Sequence, residues 1–186
     1  DLVSNKKTDF SRYYYFYTSY LFSKNREADA KNLINKSVKL YPNNVLLNQL
    51  KLDLSKNKYK EIFNCQNTSH IVAEIFYIVS NALSNQNLYG FSNFYLNISR
   101  YLNQDFYSYN TLLAENYYLI DNYNEAKKLY TQLSKYGNFF KWYSAKQTSK
   151  ILIFENQKKK AIEFLIKVYN EIKDKNIYQK FDFAKF

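Results

Sequence analysis

The chain of 186 residues contains no methionine, one cysteine, one histidine, one proline and two glycines. Each scarcity excludes something. A lone Cys65 excludes an intrachain disulfide and any cysteine-cluster metal site. A lone His70 leaves no histidine pair for zinc and no obvious catalytic triad. Gly90 and Gly137 are too far apart to form a glycine-rich phosphate loop. So little glycine and proline argues against a small all-β fold, which needs many tight hairpins. No uncharged apolar run reaches the ~20 residues that span a bilayer, so no transmembrane segment is expected. The longest candidate, Tyr13 to Ser23, is too short and too rich in hydroxyls. No cofactor and no metal is implied. One cysteine fits a bacterial cytoplasm or periplasm equally, and the compartment stays unassigned.

Aromatic residues, asparagine and lysine are abundant instead. Tyr (21) and Phe (15) supply much of the 46 % hydrophobic content, and the formal charge is +11. An AT-rich coding sequence accounts for the Asn, Lys, Tyr and Ile excess and for part of that charge. The lysines are spread along the chain, and only Lys158-Lys159-Lys160 is a run. A solubilising face is the plain reading of this charge. Attraction to an acidic protein, RNA or anionic lipid is the functional one.

A pattern returns every ~34 residues, the mark of a stacked repeat. Counting from Tyr14, Phe76, Asn110 and Ala145, a pair follows at the same offset: Tyr17-Thr18, Val79-Ser80, Leu113-Ala114 and Thr148-Ser149. The second member is small or hydroxyl-bearing in each case. Twelve residues further on stand Ala30, Ser92, Ala126 and Ala161. Apolar residues at helical spacing predict helices over about 10–24, 27–41, 45–56, 69–85, 89–102, 105–120, 123–135, 139–154 and 158–173. A short helix is expected over 58–64, and the start of a further, truncated one over 177–186. Residues 1–8 are expected to fray. Breaks fall at Asn25, Asn87, Asp121-Asn122 and Asn156, where Asn and Asp replace glycine in the left-handed conformation that ends a helix. The expected fold is all-α: a right-handed solenoid of about five antiparallel helix pairs over 9–173, the second one short.

These residues resemble a tetratricopeptide repeat array. The first unit supplies Tyr14, Tyr17, Thr18, Leu21, Ala30, Ile34, Ser37 and Pro42 in that family's order and spacing. The third supplies Phe76, Val79, Ser80, Leu83, Ser92, Leu96 and Ser99, with Gln104 where proline is expected. The fourth supplies Leu113, Ala114, Tyr117, Asn122 to Ala126 and Tyr130. The fifth supplies Trp142, Thr148, Ser149, Leu152, Ala161, Leu165 and Val168. Small residues at these sites let helices approach closely while large ones interlock. From Tyr14 to Phe76 is 62 residues, where two full units give about 68, so the second unit is short. The order of motifs is similar to bacterial repeat proteins of unassigned role.

The resemblance implies a concave face lined by the first helix of each pair. On that face it places Tyr15, Ser19 and Phe22, then Tyr77, Asn81 and Asn85, then Thr111, Glu115 and Tyr118, and finally Tyr143, Lys146 and Lys150. Aromatic area, amides and a few charges suit a bound peptide. The carboxylate clamp of chaperone-binding members is not reproduced, because Tyr77 stands where its lysine is expected. Tyr13, Tyr14 and Tyr17, and likewise Tyr117, Tyr123 and Tyr130, sit at core-packing spacing. Glu74 and Glu115 are the one carboxylate pair worth weighing for acid/base work. They are read as solvated or lysine-paired. His70 is read as a surface residue near a helix start and Cys65 as partly buried. The expected function is a non-catalytic protein- or peptide-binding scaffold, its partner protein or peptide and possibly acidic. The alternative is a basic RNA-associated helical-repeat protein, nucleic acid being the lesser expectation. Self-association through uncapped terminal repeats is a third possibility.

Overall fold

In the computed structural model the described residues are 9–173 and 175–185. The frayed segment expected over 1–8 lies outside them. Among the described residues the chain is all-helical, with no strand. It divides into two compact units, Asp1–Glu61 and Ile62–Phe186.

The first unit holds α1 (Ser11–Ser23), α2 (Glu27–Leu40) and α3 (Val45–Ser55), each packed on the other two. Ala30, Ile34, Leu47, Leu50 and Leu54 are buried among them. Pro42 ends α2 as expected, and Asn44 caps α3 by accepting from the Leu47 amide at 3.0 Å. On α1 the buried tyrosine is Tyr15, whereas Tyr13 and Tyr17 are exposed. The buried stripe of this helix includes Tyr15, Thr18, Ser19 and Leu21: the expected Thr18 and Leu21 are in it, but Tyr15 stands where Tyr13 and Tyr17 were expected. The helix expected over 58–64 is absent. Seven residues cannot repay helix nucleation in water, and Tyr59 instead stacks edge-on against Phe22, with ring centroids 5.0 Å apart.

The second unit holds α4 (Thr68–Asn85), α5 (Tyr89–Leu102), α6 (Tyr109–Leu119), α7 (Tyr123–Leu133), α8 (Asn138–Phe154), α9 (Lys158–Glu171) and α10 (Ile177–Lys185). The principal pairings are α4 with α5, α6 with α7, and α8 with α9. Side-chain hydrogen bonds give the sense of pairing. Ser92 Oγ donates to the Ser80 carbonyl and Ser99 Oγ to the Ala73 carbonyl, both at 2.8 Å. One index rises as the other falls, so α4 and α5 run antiparallel. Ser149 Oγ donates to the Ala161 carbonyl at 3.3 Å, the same twelve-residue relation with the donor on the other helix. The repeated small residues thus meet face to face. Thr18, Ser80, Ala114 and Ser149, and their partners Ala30, Ser92, Ala126 and Ala161, are all completely buried.

Five helix ends share one cap. Asn25, Asn57, Asn87, Asp121 and Asn156 have φ between 52° and 62°. At each, the following amide reaches back five residues, for example Arg26 to the Leu21 carbonyl at 2.9 Å and Gln157 to the Leu152 carbonyl at 2.8 Å. This is the Schellman arrangement, with Asn or Asp where glycine is usual.

Candidate functional site

The site forms in the second unit, where the first helices of successive pairs touch. Tyr109 of α6 donates to Glu74 of α4 at 3.5 Å. Tyr143 of α8 donates to Glu115 Oε1 of α6 at 2.6 Å. Trp142 Nε1 and the Lys146 ammonium, both on α8, reach Asp182 of α10, the indole at 3.4 Å. Three acids are thus satisfied by a hydroxyl, an indole or an ammonium from a neighbouring helix. These contacts are worth most where water is excluded.

Beneath this face lies a buried amide network. Asn116 is completely buried. Its Nδ2 donates to Ser92 Oγ at 2.7 Å and Asn93 Oδ1 at 2.8 Å, and its Oδ1 accepts from Ser84 Oγ at 2.6 Å. One side chain therefore ties together α4, α5 and α6.

Glu115 is the centre of the α6–α8 face. Burial pushes its carboxyl above the usual range, while the Tyr143 hydroxyl and the Lys150 charge hold it down. Tyr143 and Tyr130 are pushed up, first by burial and then by the Glu115 charge. Their rings meet edge-on at 5.9 Å. Toward the open end stand Tyr118, Tyr123 and Phe154. Tyr118 is 5.8 Å from Tyr123 and 6.0 Å from Phe154, and Tyr123 stacks on Phe154 at 6.4 Å. Phe154 is 63 % exposed. Asp121 accepts the Tyr123 hydroxyl at 2.6 Å, and that bond pushes this phenol up to about 12. Lys127 of α7 and Glu155 close the edge with a 2.7 Å ion pair. Lys150 lies one turn before Phe154 and is exposed, and among the described residues no ion pair takes it up.

Of the residues assigned to the face from sequence, Glu115, Tyr118, Tyr143, Lys146 and Lys150 share this α6–α8 region. Thr111 is half-buried two turns earlier on α6. Tyr77 packs its ring on Tyr109 at 5.7 Å, and Asn81 and Asn85 are exposed on α4. Tyr15 and Ser19 are buried, because α1 turns them inward and leaves Tyr13 and Tyr17 outside. Sequence reasoning missed Phe154 and Asp182. Phe154 continues the Tyr143–Lys146–Lys150 face by one turn and was legible in that spacing. Asp182 had no signal, since only the packing of α10 brings it to Trp142.

Smaller readings change as well. Cys65 is exposed rather than partly buried. His70 is half-buried, its Nδ1 accepting the Asn64 amide at 3.0 Å and its ring 5.8 Å from Phe63. It pins the loop before α4. Glu74 and Glu115 each accept a hydrogen bond from a tyrosine of the neighbouring helix. Among the described residues no group of His, Cys, Asp and Glu has the makings of a metal site, and no helix is long and apolar enough to cross a membrane.

No family model matches the chain, and no curated protein matches it.

Proposed function

We propose that the chain is a non-catalytic protein- or peptide-binding scaffold of tetratricopeptide-repeat type. In this reading the pairs α4–α5, α6–α7 and α8–α9 are right-handed repeat units, α1–α2 is a further unit, and α3 opens a unit whose second helix is missing. The observation that carries the function is the α6–α8 face. Its polar floor is saturated: Glu115 is engaged by Tyr143, and Tyr143 is backed by Tyr130. Its rim is open, with Phe154 and Lys150 exposed beside Tyr118. A floor whose donors and acceptors serve one another suits positioning of a ligand better than proton transfer to one. An aromatic shelf with one available ammonium suits a peptide that carries an apolar side chain near a carboxylate.

The test uses a random peptide library displayed on phage and panned against the intact chain. Peptides enriched on the wild type are expected to lose at least about tenfold in affinity on the double variant Tyr118→Ala, Lys150→Ala, a loss of roughly 1.4 kcal/mol. The helical circular dichroism should not change. Unchanged affinity in that variant sinks the assignment of the face.

A basic RNA-associated repeat protein is the second reading, favoured by the +11 charge and by exposed Lys158, Lys159 and Lys160 at the start of α9. It requires affinity for single-stranded RNA that falls steeply with salt, at a log-log slope of roughly −0.7 per phosphate contact.

A further inference from the structure

α10 is turned the opposite way from an ordinary surface helix. A helix on a core puts its apolar side inward, as α9 does with Ala161, Leu165 and Val168. On α10 the buried residue is Gln179. Beside it, Asp182 and Phe183 reach the body, completing a stripe at the helical spacing i, i+3 and i+4. Ile177 is 74 %, Tyr178 42 % and Phe181 56 % exposed. Apart from Phe183, then, the large apolar side chains of α10 do not hold it in place. Gln179 is poorly served as well, since its Nε2 is buried without a hydrogen-bond partner. Docking carries that cost and release returns it.

What holds α10 is a two-point contact. The Asp182 carboxylate pairs with the Lys146 ammonium and accepts from the Trp142 indole at 3.4 Å. The next residue, Phe183, lies flat on Tyr169 of α9, with centroids 3.9 Å apart and planes 9° from parallel. It meets Trp142 edge-on at 6.2 Å. One carboxylate and one ring, adjacent in sequence, thus fill a subsite made by three side chains of α8 and α9. The helix also carries its own start. Asn176 and Gln179 exchange amide-to-side-chain bonds at 3.0 and 2.8 Å, a capping box contained within the segment. Its remaining charges suit the body badly, because Lys180 and Lys185 accompany the one acid on a chain of net charge +11.

We propose that Trp142, Lys146 and Tyr169 form a subsite for a helix that carries a carboxylate next to an aromatic ring, and that α10 is its tethered occupant, displaced when an external acidic helix of that kind arrives. The tether accounts for how so small a contact stays made. A segment joined only a few residues away acts at an effective concentration on the order of millimolar. An external helix gains what α10 lacks, acids in place of Lys180 and Lys185 against a basic body. The proposal rests on the scaffold reading for its ligand class, an apolar side chain beside a carboxylate, but it uses neither Tyr118 nor Lys150.

The test is the fluorescence anisotropy of a fluorescein-labelled peptide titrated with the intact chain. The peptide has the sequence of residues 175–185 with Lys180→Glu and Lys185→Glu. In the protein, Asp182→Lys sets two ammoniums against each other, undocks α10 and frees the subsite. That variant should bind the peptide at least about tenfold more tightly than the wild type, because the tethered competitor is gone. Phe183→Ala removes the ring without adding charge and should show a smaller gain, independently of how well Asp182→Lys folds. Trp142 is the only tryptophan of the chain and is buried. Its emission should move to longer wavelength in Asp182→Lys and return as the peptide saturates the site. Adding Lys146→Gln to Asp182→Lys should abolish the gain in affinity. Equal affinity for the wild type and both variants overturns the proposal, as does an unchanged Trp142 emission in Asp182→Lys. A gain that survives Lys146→Gln overturns it too, since the peptide then binds elsewhere. No binding to either variant makes α10 a fixed part of the fold and not an occupant. The double variant Tyr118→Ala, Lys150→Ala should bind this peptide as the wild type does, so failure here and failure of the α6–α8 face are read separately.

Discussion

At the residue scale, Glu115 shows what a buried acid does in this protein. It accepts a hydrogen bond from a neutral phenol, Tyr143, and its ordinary charge is disfavoured by burial. The folded pKa is therefore above the unfolded one. The folded state binds the proton more tightly, so the stability tied to this group is present at low pH and is lost as pH rises through the folded pKa. Glu115→Gln keeps an acceptor for Tyr143 and removes the charge. At neutral pH it is expected to melt higher than the wild type, by roughly 2–4 °C for each ~1 kcal/mol of relieved burial. The difference should shrink as the pH falls below the ordinary carboxylate value, where the wild-type side chain is also neutral. Thermal melts of both proteins followed by circular dichroism at stepped pH measure it. A gap that stays constant with pH would mean that the Glu115 charge is not what differs. The acids outside this site do not blur the comparison. Glu171, for instance, is held below its usual range by its 2.7 Å pair with Lys141 in both proteins.

At the element scale, helix ends were the most legible feature. Four breaks placed at Asn25, Asn87, Asp121 and Asn156 from residue type alone coincide with left-handed caps. The signal is strong because the requirement is local: a non-glycine residue in that conformation is Asn or Asp far more often than any other. The small-residue sites were equally legible, since a completely buried Ala126 or Ser92 leaves no room for a longer side chain. The facing of α1 was not. Its apolar residues, Tyr13 through Leu21, run nearly all the way round, so periodicity alone could not choose which tyrosine turns inward. The missing helix over 58–64 was misread for a related reason. Asn57 makes the same cap as the others, but a cap ends one helix without guaranteeing the next. The caps are also testable. Asn156→Ala should lower stability by about 1 kcal/mol, since alanine bears the full β-carbon penalty of the left-handed region. Asn156→Gly should match or exceed the wild type. Urea titrations with unchanged m-values would assign both changes to the folded state. Equal losses in the two variants would mean that the Asn156 side chain, and not its backbone angle, holds the turn.

At the scale of the whole molecule, charge is the property to argue from. Twenty-seven basic residues stand against sixteen acidic ones. Some excess is absorbed by pairs that join neighbouring helices, Lys127 to Glu155, Lys141 to Glu171 and Lys146 to Asp182. These side chains are all about a quarter to under a half exposed, and such pairs contribute on the order of 0–1 kcal/mol each. The pairs on a single helix, Arg26 with Asp29 and Lys128 with Glu125, are more open and weaker still. Opposing them is self-repulsion among the lysines of α2, α3 and α7 to α10, which grows with the square of the net charge while the pairs add singly. Salt weakens both effects, but repulsion acts over longer distances and is screened first, at a Debye length of about 10 Å in 0.1 M salt. Raising NaCl from roughly 0.02 to 0.2 M should therefore raise the thermal midpoint. The same experiment with sodium sulfate would add a separate stabilisation by surface exclusion, so chloride is the cleaner probe. A midpoint that falls with added chloride would show that the three interhelical pairs outweigh the repulsion. Lys146→Gln should then remove most of the salt dependence, because Lys146 is the cation that, with Trp142, holds Asp182 and so fastens α10 to α8.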